Sequence, residues 1–174
     1  MSLLRARLAC AVAAAALFAS VAHAQDPPPA ASAPQEPRGI YFAQHDAIAF
    51  GTNEAGFLNA TIGARVDYAA TPALRIGIEL AYANLEGDAE RAHSVLGLLQ
   101  FEGRAALSGA WSVPARIALG HLASNGAVLR IATGAALKLA SRLELMLLIA
   151  PTLFSTRDGV YPAVGPGLEL SFRL

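Results

Sequence analysis

The stretch "LRIGIELAY", Leu74 to Tyr82, sets an arginine and a glutamate into an otherwise apolar run. A strand shows alternate side chains on alternate faces, so Leu74, Ile76, Ile78, Leu80 and Tyr82 share one side and Arg75, Gly77, Glu79 and Ala81 the other. One face is greasy; the other is charged and crowded with small residues.

The same alternation recurs on either side of it. Leu58, Ala60, Ile62, Ala64, Val66 and Tyr68 oppose Asn59, Thr61, Gly63, Arg65 and Asp67. Trp111, Val113, Ala115, Ile117 and Leu119 oppose Arg116, while Leu129, Ile131, Ala135, Leu137 and Leu139 oppose Arg130 and Lys138. Leu145, Leu147, Ile149 and Leu153 oppose Arg142, Glu144 and Met146. The pattern holds in six strands, fits the fourth loosely and is unclear in the first.

Composition narrows where such strands live. The chain has 174 residues, 55% hydrophobic and 15% charged, with mean hydropathy +0.44, too apolar for an ordinary soluble domain. Its longest apolar run after Arg38, Leu145 to Phe154, falls short of the roughly 20 residues of a spanning helix and contains Pro151. Any membrane crossing must therefore be made by strands. The net charge is zero and only one of the thirteen basic residues is lysine, which argues against nucleic acid as a partner.

Residues 1–24 read as an export signal, with Arg5 and Arg7 before an apolar core, Leu8 to Val21, and Ala22-His23-Ala24 at the cleavage site. Cys10, the single cysteine, lies within it, so the mature chain carries no thiol, as suits an oxidising envelope compartment. Residues 25–37, rich in proline and alanine, cannot bury a core and read as a periplasmic tether.

Residues 38–174 divide into four hairpins. Turns around Thr71, Ser108 and Ser141 each place a hydroxyl residue before alternation restarts. They alternate with polar connections at Gly51 to Ala55, Asn84 to His93, Ala123 to Gly126 and Ser155 to Gly159. The expectation is an all-β, eight-stranded antiparallel up-and-down transmembrane β-barrel. A soluble barrel would turn the leucine face inward, but the other face carries Gly63, Gly77, Gly120, Gly134, Gly165 and Gly167 beside its charges. Small residues make a poor solvent surface and leave room in a narrow lumen, so lipid is placed outside and charge inside.

An eight-stranded barrel has an interior that side chains fill. Asp67, Glu79, Glu102, Glu144 and Glu169 are expected to meet Arg65, Arg75, Arg104, Arg116, Arg130, Lys138 and Arg173 there as a buried ion-pair network. Basic partners would hold these carboxylates ionised, and a filled lumen offers no substrate path, which weighs against an acid/base enzyme. Tyr68, Tyr82, Trp111 and Phe172 fall on the lipid face near strand ends, as interface aromatics do, whereas Tyr161 falls inward. His45, His93 and His121 show no metal-ligand spacing. His45-Asp46 reads as an interior or rim polar pair. The acidic loop Asn84 to His93 reads as a solvated hairpin.

From Arg38 to Leu174 the chain resembles the small outer-membrane β-barrel superfamily of the OmpA/OmpX type, in architecture and in its last strand, "GLELSFRL", Gly167 to Leu174. That resemblance implies an integral outer-membrane protein, delivered by the outer-membrane assembly machinery, which reads such terminal strands. It would be a monomer without cofactor or metal, surrounded by outer-membrane lipids and lipopolysaccharide, with a structural or interaction role in the envelope. A narrow pore for small solutes is a further reading; large solutes are excluded, since porins need about 16 strands.

A second, local resemblance lies in "GHLASNG", Gly120 to Gly126, which is similar to the His-x-Ser-Asn segment of lipid A 3-O-deacylases. It implies His121 and Ser124 as a catalytic pair on the outer wall. Here two residues separate them instead of one, which turns the hydroxyl to the opposite face on a regular strand, and the next strand offers no outward carboxylate. The preferred reading makes Ser124-Asn125-Gly126 a hairpin turn, His121 an interfacial residue and the protein not an enzyme.

Overall fold

The structure is a computed structural model that describes residues 38–51, 58–86, 91–123, 126–155 and 159–174. The leader (1–24), the tether (25–37), Ser124 and the middle of each polar connection lie outside the described residues.

Alternating, β-branched and aromatic-rich segments form strands throughout. They are β1 (Gly39–Gly51), β2 (Leu58–Thr71), β3 (Leu74–Glu86), β4 (Arg91–Ser108), β5 (Trp111–Leu122), β6 (Gly126–Lys138), β7 (Leu143–Ile149), β8 (Thr152–Ser155), β9 (Val160–Val164) and β10 (Pro166–Arg173). All pairings are antiparallel, and each strand from β1 to β6 pairs with the next. The ten segments make eight passes. β6 continues its ladder first with β7 and then with β8, which in turn pair with β10 and β9.

The seventh pass is interrupted at Ala150-Pro151 and the eighth at Gly165-Pro166, where proline has no N–H to give to a ladder. Two bonds bridge the gaps: Ile131 donates its N–H to the Pro151 carbonyl and Ala150 to the Gly165 carbonyl, each at 2.9 Å. β10 pairs with β1 from Tyr41↔Arg173 to Ala47↔Gly167, and β9 extends that edge at Phe50↔Val164. Every pass is therefore bonded on both sides, and the ring closes without a free edge.

One end of the ring carries the tight turns. Thr71 Oγ1 accepts the Ala73 N–H at 3.2 Å in the first, and Gly109, at φ +56°, supplies the left-handed residue of the second. The third differs from the sequence reading, because it is wider: Leu143 accepts the N–H groups of Leu139 and Ala140, and Ser141 lies inside the turn instead of opening it. The other end carries the polar connections.

The barrel is inside-out relative to a soluble one. Ile62, Ile78, Leu80, Leu147 and Ile149 are all at least 60% exposed on the outer wall. Arg65, Arg75, Glu79, Glu102 and Glu169, in contrast, are at most 2% exposed within. Closure satisfies the backbone, and only a lipid-like surround removes that apolar wall from water.

Candidate functional site

The lumen has two tiers. Towards the turn end, β2, β3, β4 and β5 point Arg65, Asp67, Arg75, Glu102, Arg104 and Arg116 inward, and β7 and β10 add Glu144 and Glu169. Towards the loop end β3, β4 and β5 point Ala81, Ala83, Leu96, Leu98, Ala118 and Leu122 inward, and these pack with Val128, Phe154 and Ala163. Half-buried Tyr161 closes against this plug, in keeping with its inward parity.

Four arginines meet four carboxylates in the charged tier. Arg65 Nε donates to Asp67 Oδ2 at 2.6 Å and its terminal nitrogens approach both Glu169 oxygens at 2.6 and 2.7 Å. Arg116 bonds Glu169 at 2.9 Å and also Glu102. Arg104 reaches Glu102 at 2.6 Å and grips Glu144 with both terminal nitrogens, at 2.5 and 2.6 Å. Such two-pronged guanidinium–carboxylate contacts fix geometry as well as charge. Arg75 lies 3.6 Å from Glu144 and 3.9 Å above the centre of the Tyr41 ring, a cation–π seat.

Space for these large heads comes from glycine. A Cβ on Gly77 would fall 1.8 Å from Asp67 Oδ1, so only a residue without a side chain fits between Arg75 and Glu79. At the waist between the tiers, Arg130 bonds Glu79 at 2.7 Å. Gln100 donates to Asp67 at 3.5 Å, and His45 Nδ1 stands 3.6 Å from Glu169. Tyr41, Gln100 and His45 belong to the lumen but are absent from the charge pattern by which the sequence is read, since two are uncharged and the third lies in the unclear first strand.

Of the twelve residues assigned to the lumen, the structure brings ten together in buried contacts and separates two. Lys138 is exposed where β6 ends and Arg173 is half-buried where β10 ends. Parity assigns a face, but at a strand end the long side chain leaves the barrel for its mouth. His45-Asp46 is a second correction: His45 is 1% exposed inside, whereas Asp46 shares its parity with outward Ile48 and Phe50. Asp46 accepts a 3.3 Å hydrogen bond from Gln44 Nε2 on the outer wall.

Tyr68, Tyr82, Trp111 and Phe172 are all 43–52% exposed on the outer wall. Tyr82 stacks on His93 with ring centroids 5.7 Å apart and its hydroxyl 2.5 Å from Nδ1. His121 is also outward, opposite Gly97 on β4 and Ala127 on β6. Neither neighbour can orient an imidazole. Among the described residues no group of three or more His, Cys, Asp or Glu side chains is arranged to hold a metal ion.

No protein-family model and no curated protein sequence matches the chain. Among solved structures, Neisserial surface protein A is similar at TM-score 0.64 and 10% identity, over 78% of this chain and 97% of that one. A de novo designed transmembrane β-barrel also aligns, at TM-score 0.49 and 11% identity, over 80% of this chain and 99% of the design. Ring closure, an apolar outer wall, a charged lumen and the likeness to the Neisserial protein agree on one fold, an eight-stranded antiparallel up-and-down transmembrane β-barrel.

Proposed function

We propose that this protein is an integral outer-membrane barrel with a structural or interaction role, displaying its loops outside and its tight turns to the periplasm. The observation that carries the reading is the double closure of the lumen. Salt-bridged arginines fill the turn half, and in the loop half a packed apolar cluster spans the lumen beside buried Asn59, Thr61, Ser94 and Thr152. A pore needs a continuous wet path, and an apolar constriction excludes ions by dewetting. A barrel closed in this way acts through its wall and its ends. Its likeness to a protein named for the Neisserial surface supports the same placement.

Two measurements test it. Refolded barrel in a planar bilayer should give no stepwise conductance above the lipid background; discrete openings would favour the pore. In intact cells, a membrane-impermeant thiol reagent should label a cysteine replacing Asp88 in the second polar connection and spare one replacing Pro72 in the first turn. The reverse pattern would invert the topology. The proposal includes no lipid A hydrolysis: refolded barrel incubated with lipid A should release no 3-hydroxy fatty acid by mass spectrometry. Release that vanishes in both His121→Ala and Ser124→Ala would establish the enzyme instead.

A further inference from the structure

We infer that the turn-end mouth of the barrel is a binding site for a phosphate-class oxyanion, held by Lys138, Arg142, Arg173 and the hydroxyl of Ser171. A pocket opens there, lined by these residues with Arg75, Tyr41 and Glu144. Four adjacent strands build it. Lys138 and Ser171 flank Glu144 from β6 and β10, the Arg173 N–H bonds the Arg142 carbonyl at 2.8 Å, and Arg173 faces Tyr41 across to β1.

Charge accounting points to an anion. Inside the turn-end tier Arg65, Arg75, Arg104 and Arg116 are matched by Asp67, Glu102, Glu144 and Glu169. Lys138, Arg142 and Arg173 are therefore surplus, and no described carboxylate lies in salt-bridge contact with any of them. Glu144 is the acid in the lining, and both its oxygens are already engaged by Arg104. It does not neutralise the mouth.

An independent observation comes from Ser171. Its side chain is 1% exposed and lines the pocket, yet its Oγ has no hydrogen-bond partner in the protein. A buried hydroxyl without a partner is costly. Beside three cations, it is placed to donate to an oxyanion. Arginine forks and a lysine ammonium suit the tetrahedral oxygens of a phosphate, whether the phosphate is free in solution or belongs to a phospholipid headgroup at the rim.

The test uses full barrel refolded in a non-ionic detergent, with folding checked by heat-dependent gel mobility. Titration with inorganic phosphate, read by calorimetry, should saturate. The Lys138→Gln/Arg142→Gln/Arg173→Gln variant should weaken binding by about a hundredfold or more, and Ser171→Ala by about tenfold, as expected for loss of one hydrogen bond to a charged group. Arg38→Gln, an exposed cation outside the pocket, should leave affinity unchanged.

A second arm places the protein in phosphatidylcholine nanodiscs with or without phosphatidylglycerol and counts retained lipid by native mass spectrometry. Selective retention of the anionic lipid, lost in the triple variant, assigns the headgroup. Saturable phosphate binding without lipid selectivity assigns the free ion. Absence of saturation in both arms, or equal weakening by Arg38→Gln, would overturn the site in favour of a diffuse basic rim.

Discussion

The two tiers of the lumen share β3, β4 and β5 yet are held together by different physics. In the turn half, Arg65, Arg104 and Arg116 are fixed by short, directional contacts to Asp67, Glu102, Glu144 and Glu169. In the loop half, Leu96, Leu98, Leu122 and Phe154 meet by packing alone. A buried charge removed from water is tolerated only with its partners present, whereas an apolar plug tolerates loss in proportion to the cavity left behind. The first region should therefore fail in groups and the second residue by residue.

The largest effect is expected from Glu169→Leu, which takes from Arg65 and Arg116 the carboxylate they share and leaves them only Asp67 and Glu102. It should cost about 3–5 kcal/mol, read from urea-dependent unfolding in lipid vesicles. At the waist, Glu79→Leu leaves Arg130 unpaired, and adding Arg130→Met should recover stability relative to the single variant. If the double variant lost the sum of the two single losses, these side chains would be facing water and the contrast between tiers would collapse.

Next comes the plug. Leu98, 1% exposed, packs in the apolar cluster opposite Glu79 of the waist, so Leu98→Ala should cost about 2–4 kcal/mol through lost burial and the cavity left. Combined with Glu169→Leu, its loss should add to within about 0.5 kcal/mol. Strong coupling between the two would mean that the tiers act as one core.

How much of this was legible beforehand differs between the same regions. The charged tier announces itself, because charge alternating with leucine is unmistakable in β2, β3 and β10. The plug hides: in the loop half of β4, Leu96 and Leu98 point inward while Val95 and Leu99 point outward, so both faces are apolar and the alternation fades. β1 hides for the opposite reason, with Ala43 inside and Gln44 outside.

Pairing was legible only between near neighbours, as in Arg65–Asp67, Arg104–Glu102 and Arg116–Glu102. Arg65 stands opposite Glu79 in the β2–β3 register, yet it bonds Glu169, 104 residues away, and Glu79 bonds Arg130. Long side chains in a narrow tube reach across it rather than along the wall. Strand adjacency chooses the partner in one pair, Glu102 with Arg116 across β4 and β5, but not for Arg65 or Glu79. The same reach took Lys138, opposite Glu144 in register, out to the mouth while Glu144 turned to Arg104.

The smallest effect is expected from Asp46, the outer-wall counterpart of Glu169. The two carboxylates lie on adjacent strands, Asp46 pairing with Leu168 and its neighbour His45 with Glu169, but they face opposite solvents. Glu169 is gripped by two guanidinium groups, whereas the hydrogen bond shown for Asp46 is one from the Gln44 amide. Between outward Ile48 and Phe42 its carboxylate faces the apolar side, where a charge near the middle of the membrane is unfavourable, less so for aspartate than for arginine or lysine. Asp46→Leu should therefore stabilise the barrel, by about 1 kcal/mol, in the same unfolding assay in which Glu169→Leu destabilises it. The opposite signs would separate the two faces of one strand pair. A loss of stability in Asp46→Leu would show instead that the Gln44–Asp46 pair is held by something in the membrane, and that this stretch of the outer wall is a contact surface.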